Sequence, residues 1–271
     1  METVILFDFM KRKHRYFFKK VIPARIRNAM AFRAGIRGSI DRPACLEKPE
    51  GSAVLVLSPH PDDDVTGCGG VLHKHHLAGD RIVAVYMTDG RKGGSGAEPE
   101  EQVAGNRRKE AENAAEIIGI DHLVFLDNKD SMLAPTGKTV GQVAGYLEEV
   151  RPDIVYLPSL MDFHEDHIAT NDIFVEAIEA AAGKCRDFTC YGYEVWTPLL
   201  PNCYVDIGDV IEVKRSALEM FRTQTSRFNL VGASLGLSKY RSVMLFHGDS
   251  HVECFYRCSP EAYRTLWESM K

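Results

Sequence analysis

Between residues 52 and 183 the sequence alternates short apolar runs with helical patterns, and this alternation restricts the fold more than any other feature. Buried strands are predicted for four near-continuously apolar runs, at 52–58, 81–90, 122–126 and 153–159. Helices are predicted for the stretches at 66–79, 101–120, 139–152 and 167–183. Strands that are apolar on both faces are typical of parallel sheets covered by helices. We therefore predict an α/β fold with a mainly parallel sheet and helices on both faces.

Polar clusters follow three of the predicted strands. "HPDDD" at 60–64 follows the first strand, Thr88 and Asp89 follow the second, and "HEDH" at 164–167 follows the fourth. Ligands of such sheets bind beyond the carboxyl ends of the strands, so we expect the three clusters to share one edge. Three adjacent carboxylates repel one another, and a cation is the expected compensation.

The residue types in these clusters suit a divalent transition metal. His60 and Asp63 are three residues apart, and His164 and His167 repeat that spacing. Imidazole and carboxylate together favour zinc or a similar ion. Two ligands from one loop and one from another would leave a position open for water, as in catalytic zinc sites. The alternative is a solvated Asp-rich turn, but a second cluster at another strand end favours the metal.

Two further groups are candidates for catalysis. Asp62 adjoins the predicted ligands and could act as a general base. A protonated His164, oriented by Asp166, could stabilise an oxyanion and protonate a leaving amine. Together these groups would suit hydrolysis of an amide.

The order and spacing of five motifs resemble those of a known family. The motifs are "PHPDDD" at 59–64, "GCGG" at 67–70, "TDG" at 88–90, "RRKEA" at 107–111 and "HEDH" at 164–167. Over about residues 50–260 the sequence resembles the PIG-L/LmbE-like family of zinc-dependent de-N-acetylases. The resemblance implies a Rossmann-like fold and one zinc ion. It also implies removal of the N-acetyl group from an N-acetylglucosamine-type sugar conjugate, with metal-bound water attacking the amide carbonyl.

The resemblance also assigns roles to single residues of this sequence. It implies three zinc ligands, which are His60, Asp63 and His167. It implies Asp62 as the general base, and it places His164 near the reacting carbonyl with Asp166 as its partner.

Arg107 matches a substrate-contacting arginine of the family, and the alternative is a helix-surface ion pair with Glu110. The sequence departs from the family pattern in two places. Asp64 stands where glutamate is more usual, and Glu165 stands where proline is common. The Asp64 position is expected to support the ligand-bearing loop.

The N-terminal segment differs from the rest in charge. Residues 1–50 hold 12 Lys and Arg against 5 Asp and Glu, a net charge of +7, and the remainder carries −12. We therefore divide the chain into a basic arm at 1–48 and the deacetylase domain at 49–271. The preferred interpretation of the arm is packing on its own domain or on a second subunit. The alternative is peripheral contact with an anionic membrane, and nucleic acid ranks last.

Localisation and substrate are less constrained by the sequence. Seven scattered cysteines without a CxxC pair, and no secretory signal, indicate a reducing compartment. We expect a cytoplasmic protein, with the inner membrane face as an alternative.

The expected substrate is an amino-sugar conjugate, soluble or lipid-linked, and the oligomeric state stays open. Trp196 could stack on a sugar ring or simply pack.

Three other functions compete with the de-N-acetylase. One is a metal-dependent hydrolase of another amide or ester, and another is a non-catalytic carbohydrate-binding module. Every expected ligand position is filled, which argues against a relict site. A nucleotide-binding protein ranks low, because neither GxGxxG nor a P-loop follows the first strand.

Overall fold

The computed structural model describes residues 43–270, in which eight strands form one sheet. The strands are Ala44–Leu46 (β1), Ala53–Ser58 (β2), Arg81–Thr88 (β3), His122–Asn128 (β4), Ile154–Pro158 (β5), Thr189–Tyr193 (β6), Cys203–Asp206 (β7) and Val252–Cys258 (β8). Their order across the sheet is β1-β7-β8-β6-β5-β2-β3-β4. Within this part of the chain, only β8 runs antiparallel to its neighbours, which are β6 and β7.

Eight α-helices accompany the strands in the described range. They are Asp63–Leu77 (α1), Glu100–Ile118 (α2), Gly137–Val150 (α3), Glu165–Ala180 (α4), Ile211–Leu218 (α5), Arg222–Thr225 (α6), Leu230–Phe246 (α7) and Pro260–Met270 (α8). Short 3-10 turns at Arg91–Gly93 and Gly208–Val210 precede α2 and α5.

The predicted architecture is confirmed. The four predicted strands correspond to β2–β5 and the four predicted helices to α1–α4. Helix α1 begins at Asp63, three residues earlier than expected. Asp63 and Asp64 occupy its first turn, where negative charge is favourable next to the positive end of the helix dipole.

The sheet separates two apolar cores. Val54 and Val56 of β2 point into the core beneath α1 and α2, and Leu55 and Leu57 point into the core beneath α3 and α4. This alternation gives each face of β2 a fully buried apolar surface. It explains why the strand reads as a continuous apolar run.

Strand β2 occupies the position at which the direction of chain winding reverses. It pairs with β3 on one side and with β5 on the other, both in parallel. Loops leaving the carboxyl ends of β2 and β5 therefore diverge to opposite sides and leave a crevice between them. Such a crevice is the usual ligand site of open α/β sheets.

Helix α1 is kinked at Cys68, whose φ of −143° is not helical. The kink frees the amides of Gly70 and Val71, and both donate to the carboxylate of Glu253, at 2.9 and 2.8 Å. The ammonium of Lys214 lies 2.7 Å from the same carboxylate. This buried ion pair fixes the second half of α1 against β8.

Most of the predicted basic arm, residues 1–42, lies outside the described residues. Residues 43–48 of that arm are described and include β1, which pairs with β7. The Lys48 ammonium also lies 2.7 Å from Asp80. The boundary between arm and domain at residue 48 stays a prediction. None of the helices in the described range is long and apolar enough to span a bilayer.

Candidate active site

The crevice beyond β2 and β5 opens into a cavity of about 600 Å³. Five of the sequence-predicted site residues line it, which are His60, Asp62, Asp63, Arg107 and His164. The loop after β2 carries the first two, and Asp63 is the first residue of α1. His164 caps the N-terminus of α4, and Arg107 lies on α2. Two of the three clusters predicted to converge, those at 60–64 and 164–167, thus supply one site, whereas Thr88 and Asp89 are not among the described residues that line the cavity.

The three predicted metal ligands lie together at the floor of this cavity. Asp63 Oδ2 is 2.9 Å from His60 Nδ1 and 3.1 Å from His167 Nε2. The two imidazole nitrogens are 3.4 Å apart. All three side chains are buried. Three donor atoms so close together form a donor set that one small divalent cation could share.

The far nitrogen of each imidazole faces a buried carboxylate. His60 Nε2 lies 3.1 Å from Asp166 Oδ2, and His167 Nδ1 lies 3.0 Å from Asp162 Oδ2. A carboxylate on one ring nitrogen holds the proton there and leaves the other nitrogen free to bind a metal. The arrangement of both rings therefore fits metal ligation.

The carboxylates around this donor set favour the protonated form of both imidazoles. Burial lowers the pKa of His60, but Asp63 and the surrounding carboxylates outweigh burial and raise it well above its usual value. Burial also lowers the pKa of His167, and Asp63 with Asp162 raises it to about 9. Burial raises the pKa of Asp63, yet His167 and His60 hold it well below its usual range. The cluster therefore attracts positive charge strongly.

Asp62 and Arg107 form a buried pair on the cavity wall. Arg107 Nη2 donates to Asp62 Oδ1 at 2.6 Å, and Arg107 Nε has no hydrogen-bond partner among the described residues. Burial raises the pKa of Asp62, and the guanidinium offsets part of that shift. Gly90 has a φ of +63°, and a Cβ there would collide with the Arg107 side chain.

The alternative role of Arg107, an ion pair with Glu110, is wrong. The Glu110 carboxylate instead accepts from the Thr223 amide at 2.8 Å and the Thr223 hydroxyl at 2.6 Å. Glu110 thus joins α2 to α6, while Arg107 turns to Asp62. Residues three apart on a helix can pair, but here each has a better tertiary partner.

His164 and Asp166 do not interact as expected. The Asp166 carboxylate faces His60 and accepts the Ser131 amide at 2.7 Å, while only its backbone N–H reaches His164, donating to Nδ1 at 3.2 Å. Asp166 therefore supports a predicted ligand instead of orienting His164 with its carboxylate. Burial, followed by the nearby His60 and His167, lowers the pKa of His164. A neutral imidazole, instead of the expected protonated one, is the form favoured near neutral pH.

Sequence reasoning missed two carboxylates of the site. Asp130 lies in the loop after β4, with Oδ1 3.7 Å from His60 Nε2, and Asp162 lies in the loop after β5. The nearby His60 and the hydrogen bond from the Lys92 amide outweigh burial and lower the pKa of Asp130 to about 2. Single aspartates in loops look like ordinary turn residues. Their position after strands of the parallel sheet was the available signal.

Two other groups of donor atoms also come within 4.8 Å of one another. They are His60 with His164 and His167, and His60 with Asp130 and Asp166. Both share His60 with the first cluster. In the second group His60 Nε2 lies 3.7 Å from Asp130 Oδ1, farther than the 2.9–3.4 Å of the His60, Asp63 and His167 cluster. The predicted set also includes the Asp63 carboxylate between the two imidazoles, and we prefer it for that reason.

Asp64 lies beneath the predicted ligands. Its carboxylate accepts the Tyr86 hydroxyl at 2.9 Å, and its amide donates to the Ser58 hydroxyl at 3.1 Å. Burial raises the pKa of Asp64 to about 7, although the Tyr86 hydrogen bond opposes the shift. These contacts tie the start of α1 to β2 and β3, in keeping with the expected supporting role.

Trp196 lines the cavity, and its ring lies 5.4 Å from that of His164. His247 and His251 are not among the described residues that line it.

All seven cysteines are free. Burial raises the pKa of Cys254 well above its usual value and that of Cys258 to about 12, so neither resembles a metal-binding thiolate.

Comparison with known proteins places the motifs in a family. A family model described as PIG-L, GlcNAc-PI de-N-acetylase, matches residues 55–178. The chain is similar to the diacetylchitobiose deacetylase of Thermococcus kodakarensis, with 29% identity over 209 residues, 72% of this chain and 77% of that protein. It is also similar to the 4-oxalmesaconate hydratase of Pseudomonas putida, with 33% identity over 198 residues, 66% of this chain and 76% of that protein.

A solved structure shows the same fold. The N,N'-diacetylchitobiose deacetylase of Pyrococcus horikoshii superposes with a TM-score of 0.69 at 24% identity, covering 79% of this chain and 86% of that one. At this identity the likeness concerns the fold. Together with the family model and the relatives, it confirms the resemblance drawn from the motifs: the chain is an enzyme of the PIG-L deacetylase family.

Proposed function

We propose that this protein is a zinc-dependent hydrolase that removes the N-acetyl group from an N-acetylglucosamine-type sugar conjugate. The observation that carries the proposal is the cluster of Asp63 Oδ2, His60 Nδ1 and His167 Nε2, with a carboxylate behind each imidazole. The deacetylase names among the relatives support the reaction class. The hydrolase site lies wholly within the predicted 49–271 domain.

His60, Asp63 and His167 would hold the zinc ion. Another divalent transition metal would suit the same donors. When bound, the ion supplies Lewis acidity, which polarises an acyl oxygen and lowers the pKa of water toward neutrality. The high pKa values of the two imidazoles, which come from the surrounding carboxylates, fit a site that has excess negative charge.

Asp62 would serve as the general base. It lines the cavity beside Asp63, and its hydrogen bond from Arg107 fixes one carboxylate oxygen in place. Asp62 takes a proton from the attacking water and returns it to the amine nitrogen as the carbon–nitrogen bond breaks. The products are acetate and the free amine. Arg107, which lines the cavity beside Asp62, would also contact the substrate as the family resemblance implies.

His164 would act as a hydrogen-bond donor to the developing oxyanion. Its Nδ1 accepts the Asp166 amide, so the neutral ring keeps its proton on Nε2. A positioned N–H donor is the kind of group that stabilises negative charge in an acyl-transfer transition state. The lowered pKa of His164 makes it a poorer proton source than the sequence alone suggested.

The test is acetate release from a panel of N-acetylglucosaminides, with the free amine quantified in parallel. We expect equimolar acetate and amine from at least one conjugate. Release of neither product from any member, by protein that contains zinc, would contradict the proposal. The panel should include soluble and lipid-linked conjugates, since both remain proposed substrates. Turnover of a lipid-linked conjugate that is lost on removal of residues 1–42 would favour the alternative interpretation of the arm, which is membrane contact.

One relative favours a second candidate. The Pseudomonas putida protein is named a hydratase, so the same scaffold serves addition of water to an unsaturated acid in that enzyme. Assaying hydration of 4-oxalmesaconate beside the acetate panel separates the two functions. Turnover of that acid without acetate release would support a hydratase function for this chain and contradict the deacetylase proposal.

A further inference from the structure

Four large apolar side chains are exposed on loops that line the cavity. These residues are Met132 at 70% exposure, Phe163 at 67%, Trp196 at 53% and Phe228 at 46%, and we call them the apolar mouth. Trp196 and Phe228 line the cavity directly, and the ring of Phe163 lies 6.4 Å from that of Trp196. Met132 follows Ser131, which also lines the cavity. Single exposed apolar residues are ordinary, whereas a group around a cavity indicates binding.

Polar contacts anchor the backbone of the loop that carries Trp196. The Trp196 amide donates to Asp162 Oδ2 at 3.2 Å, the same oxygen that faces the predicted ligand His167. Three residues later, the Leu199 amide donates to Glu194 at 2.8 Å, and Glu194 is paired with the buried Arg241. The loop is therefore tied to the residues around the predicted metal ligands.

The two phenylalanines are held in a similar way. Phe163 stands between Asp162 and His164, and the His164 amide donates to Asp162 Oδ1 at 3.1 Å. The Phe228 amide donates to the Gln224 carbonyl at 3.1 Å. The Gln224 side chain in turn donates to the Gly93 carbonyl at 2.9 Å. Both rings are thus presented by anchored backbone.

The apolar surface continues from the mouth into the cavity. Val195, Leu230 and Leu237 line it together with Trp196 and Phe228. A cavity of about 600 Å³ falls in the range that encloses a drug-sized ligand, which leaves room beside a single sugar ring. The ring of Trp196 lies 5.4 Å from that of His164, so this surface begins directly beside the proposed reacting group.

We infer that the apolar mouth binds an apolar aglycone, so that the substrate is an N-acetyl sugar carrying a hydrocarbon or aromatic group. This inference rests on the proposed function and specifies its substrate class. The polar floor would hold the acetamide, and the mouth would hold the group attached to the sugar. Burial of that group supplies binding free energy in proportion to its apolar area.

The test compares kcat/KM for methyl, butyl and octyl N-acetylglucosaminides, each kept below its critical micelle concentration. We expect kcat/KM to rise about 100-fold or more from methyl to octyl, mostly through KM, since each of the seven added methylenes contributes roughly two- to fourfold when buried. A phenyl glycoside distinguishes an aromatic from a hydrocarbon preference. Acetate release with equal kcat/KM for all chain lengths would overturn the inference and leave the proposed function standing.

Variants of the mouth test its residues. The double substitution Phe163→Ala with Phe228→Ala should reduce the octyl-to-methyl ratio of kcat/KM at least fivefold. The control is Leu77→Ala, an equally exposed apolar residue on α1 that lines a different cavity, and it should keep the wild-type ratio. An unchanged ratio in the double variant would contradict the role of the mouth.

Two further measurements distinguish the aglycone subsite from a failure of the proposed function and from a membrane-docking surface. If no glycoside is hydrolysed, calorimetric binding of octyl against methyl glycoside still tests the mouth, while the missing acetate counts against the proposed function. Binding to phosphatidylcholine–phosphatidylglycerol vesicles tests a membrane-docking surface. Loss of vesicle binding in the double variant, with the octyl-to-methyl ratio unchanged, would overturn the aglycone subsite.

Discussion

Two buried groups of charged side chains contact α1, and they are balanced in opposite ways. The rear cluster lies near the kink of the helix, where Lys214 pairs with Glu253. The Glu253 carboxylate has this permanent cation and two backbone N–H donors. The front cluster lies at the helix N-terminus, where the site contains more acids than permanent cations. The acids are Asp62, Asp63, Asp130, Asp162 and Asp166, and the cation is Arg107.

This difference in charge balance indicates that the rear cluster is structural and the front cluster functional. A buried charge is costly unless it is paired, and the rear cluster is paired by the protein itself. The front cluster relies on imidazoles, whose raised pKa values show that they are drawn toward the charged state. A divalent cation would replace those protons. We therefore expect substitutions in the front to alter metal and turnover, and those behind to alter stability.

The largest expected effect is that of Asp62→Asn on turnover. Loss of the general base should lower kcat for acetate release about 10²- to 10⁴-fold. Metal analysis should still find one zinc per chain, because Asp62 is not among the three predicted ligands. The control is Asp209→Asn, an exposed acid paired with Lys74. Full turnover in the Asp62 variant would remove that residue from the mechanism.

The rear cluster should respond in stability. Lys214→Met leaves the buried Glu253 without its cation, which should cost about 3–5 kcal/mol in the free energy of unfolding measured with urea. Lys184→Met removes an exposed pair with Glu148 and should cost less than about 1 kcal/mol. The zinc affinity of the folded Lys214 variant should match that of the wild type. A large loss of affinity there would erase the distinction between the clusters.

A smaller effect is expected behind the predicted ligand His167. Asp162→Asn removes the carboxylate charge that faces His167 Nδ1 and should weaken zinc binding about 10- to 100-fold. Chelator competition measures this affinity. Asp127→Asn, on an exposed acid paired with Arg108, is the matched control and should have no effect. Equal affinities for the two variants would argue that Asp162 only holds its loop.

Zinc affinity should also rise with pH, by about tenfold per unit for each proton that zinc displaces. Nearby carboxylates raise the pKa of His167 to about 9 and that of His60 well above its usual value, so at neutral pH the metal-free protein keeps protons that zinc must displace. Affinity therefore rises with pH up to at least about 9. Calorimetry in buffers of different ionisation enthalpy would detect the released proton. An affinity that does not change from pH 7 to 9 would contradict this account.

The sequence predicted the central half of the sheet because the signals there are local. The continuous apolar run of β2 reports burial on both faces, and Gly119 ends α2 in the left-handed conformation that glycine favours. The convergence of His60, Asp63 and His167 follows from parallel strands ending at one edge. These features depend on period and spacing, which a single sequence displays.

Other features depend on tertiary pairing that the sequence does not display. Strand β8 inserts antiparallel between β6 and β7, and its Glu253 reaches back 183 positions to the amide of Gly70. Asp166 adjoins His167 in sequence, yet its carboxylate faces His60. Which way a side chain turns at a helix N-terminus depends on the loops packed around it, in this case on the Ser131 amide.

The central claim is that His60, Asp63 and His167 hold one zinc ion that the deacetylase reaction needs. The most direct measurement is a zinc titration of metal-stripped protein, with bound zinc and acetate release followed together. We predict that both rise in parallel and that activity reaches its maximum at one zinc per chain, while His167→Ala binds no zinc and releases no acetate. Full acetate release by the metal-stripped protein, or unchanged zinc binding in the His167 variant, would contradict the claim.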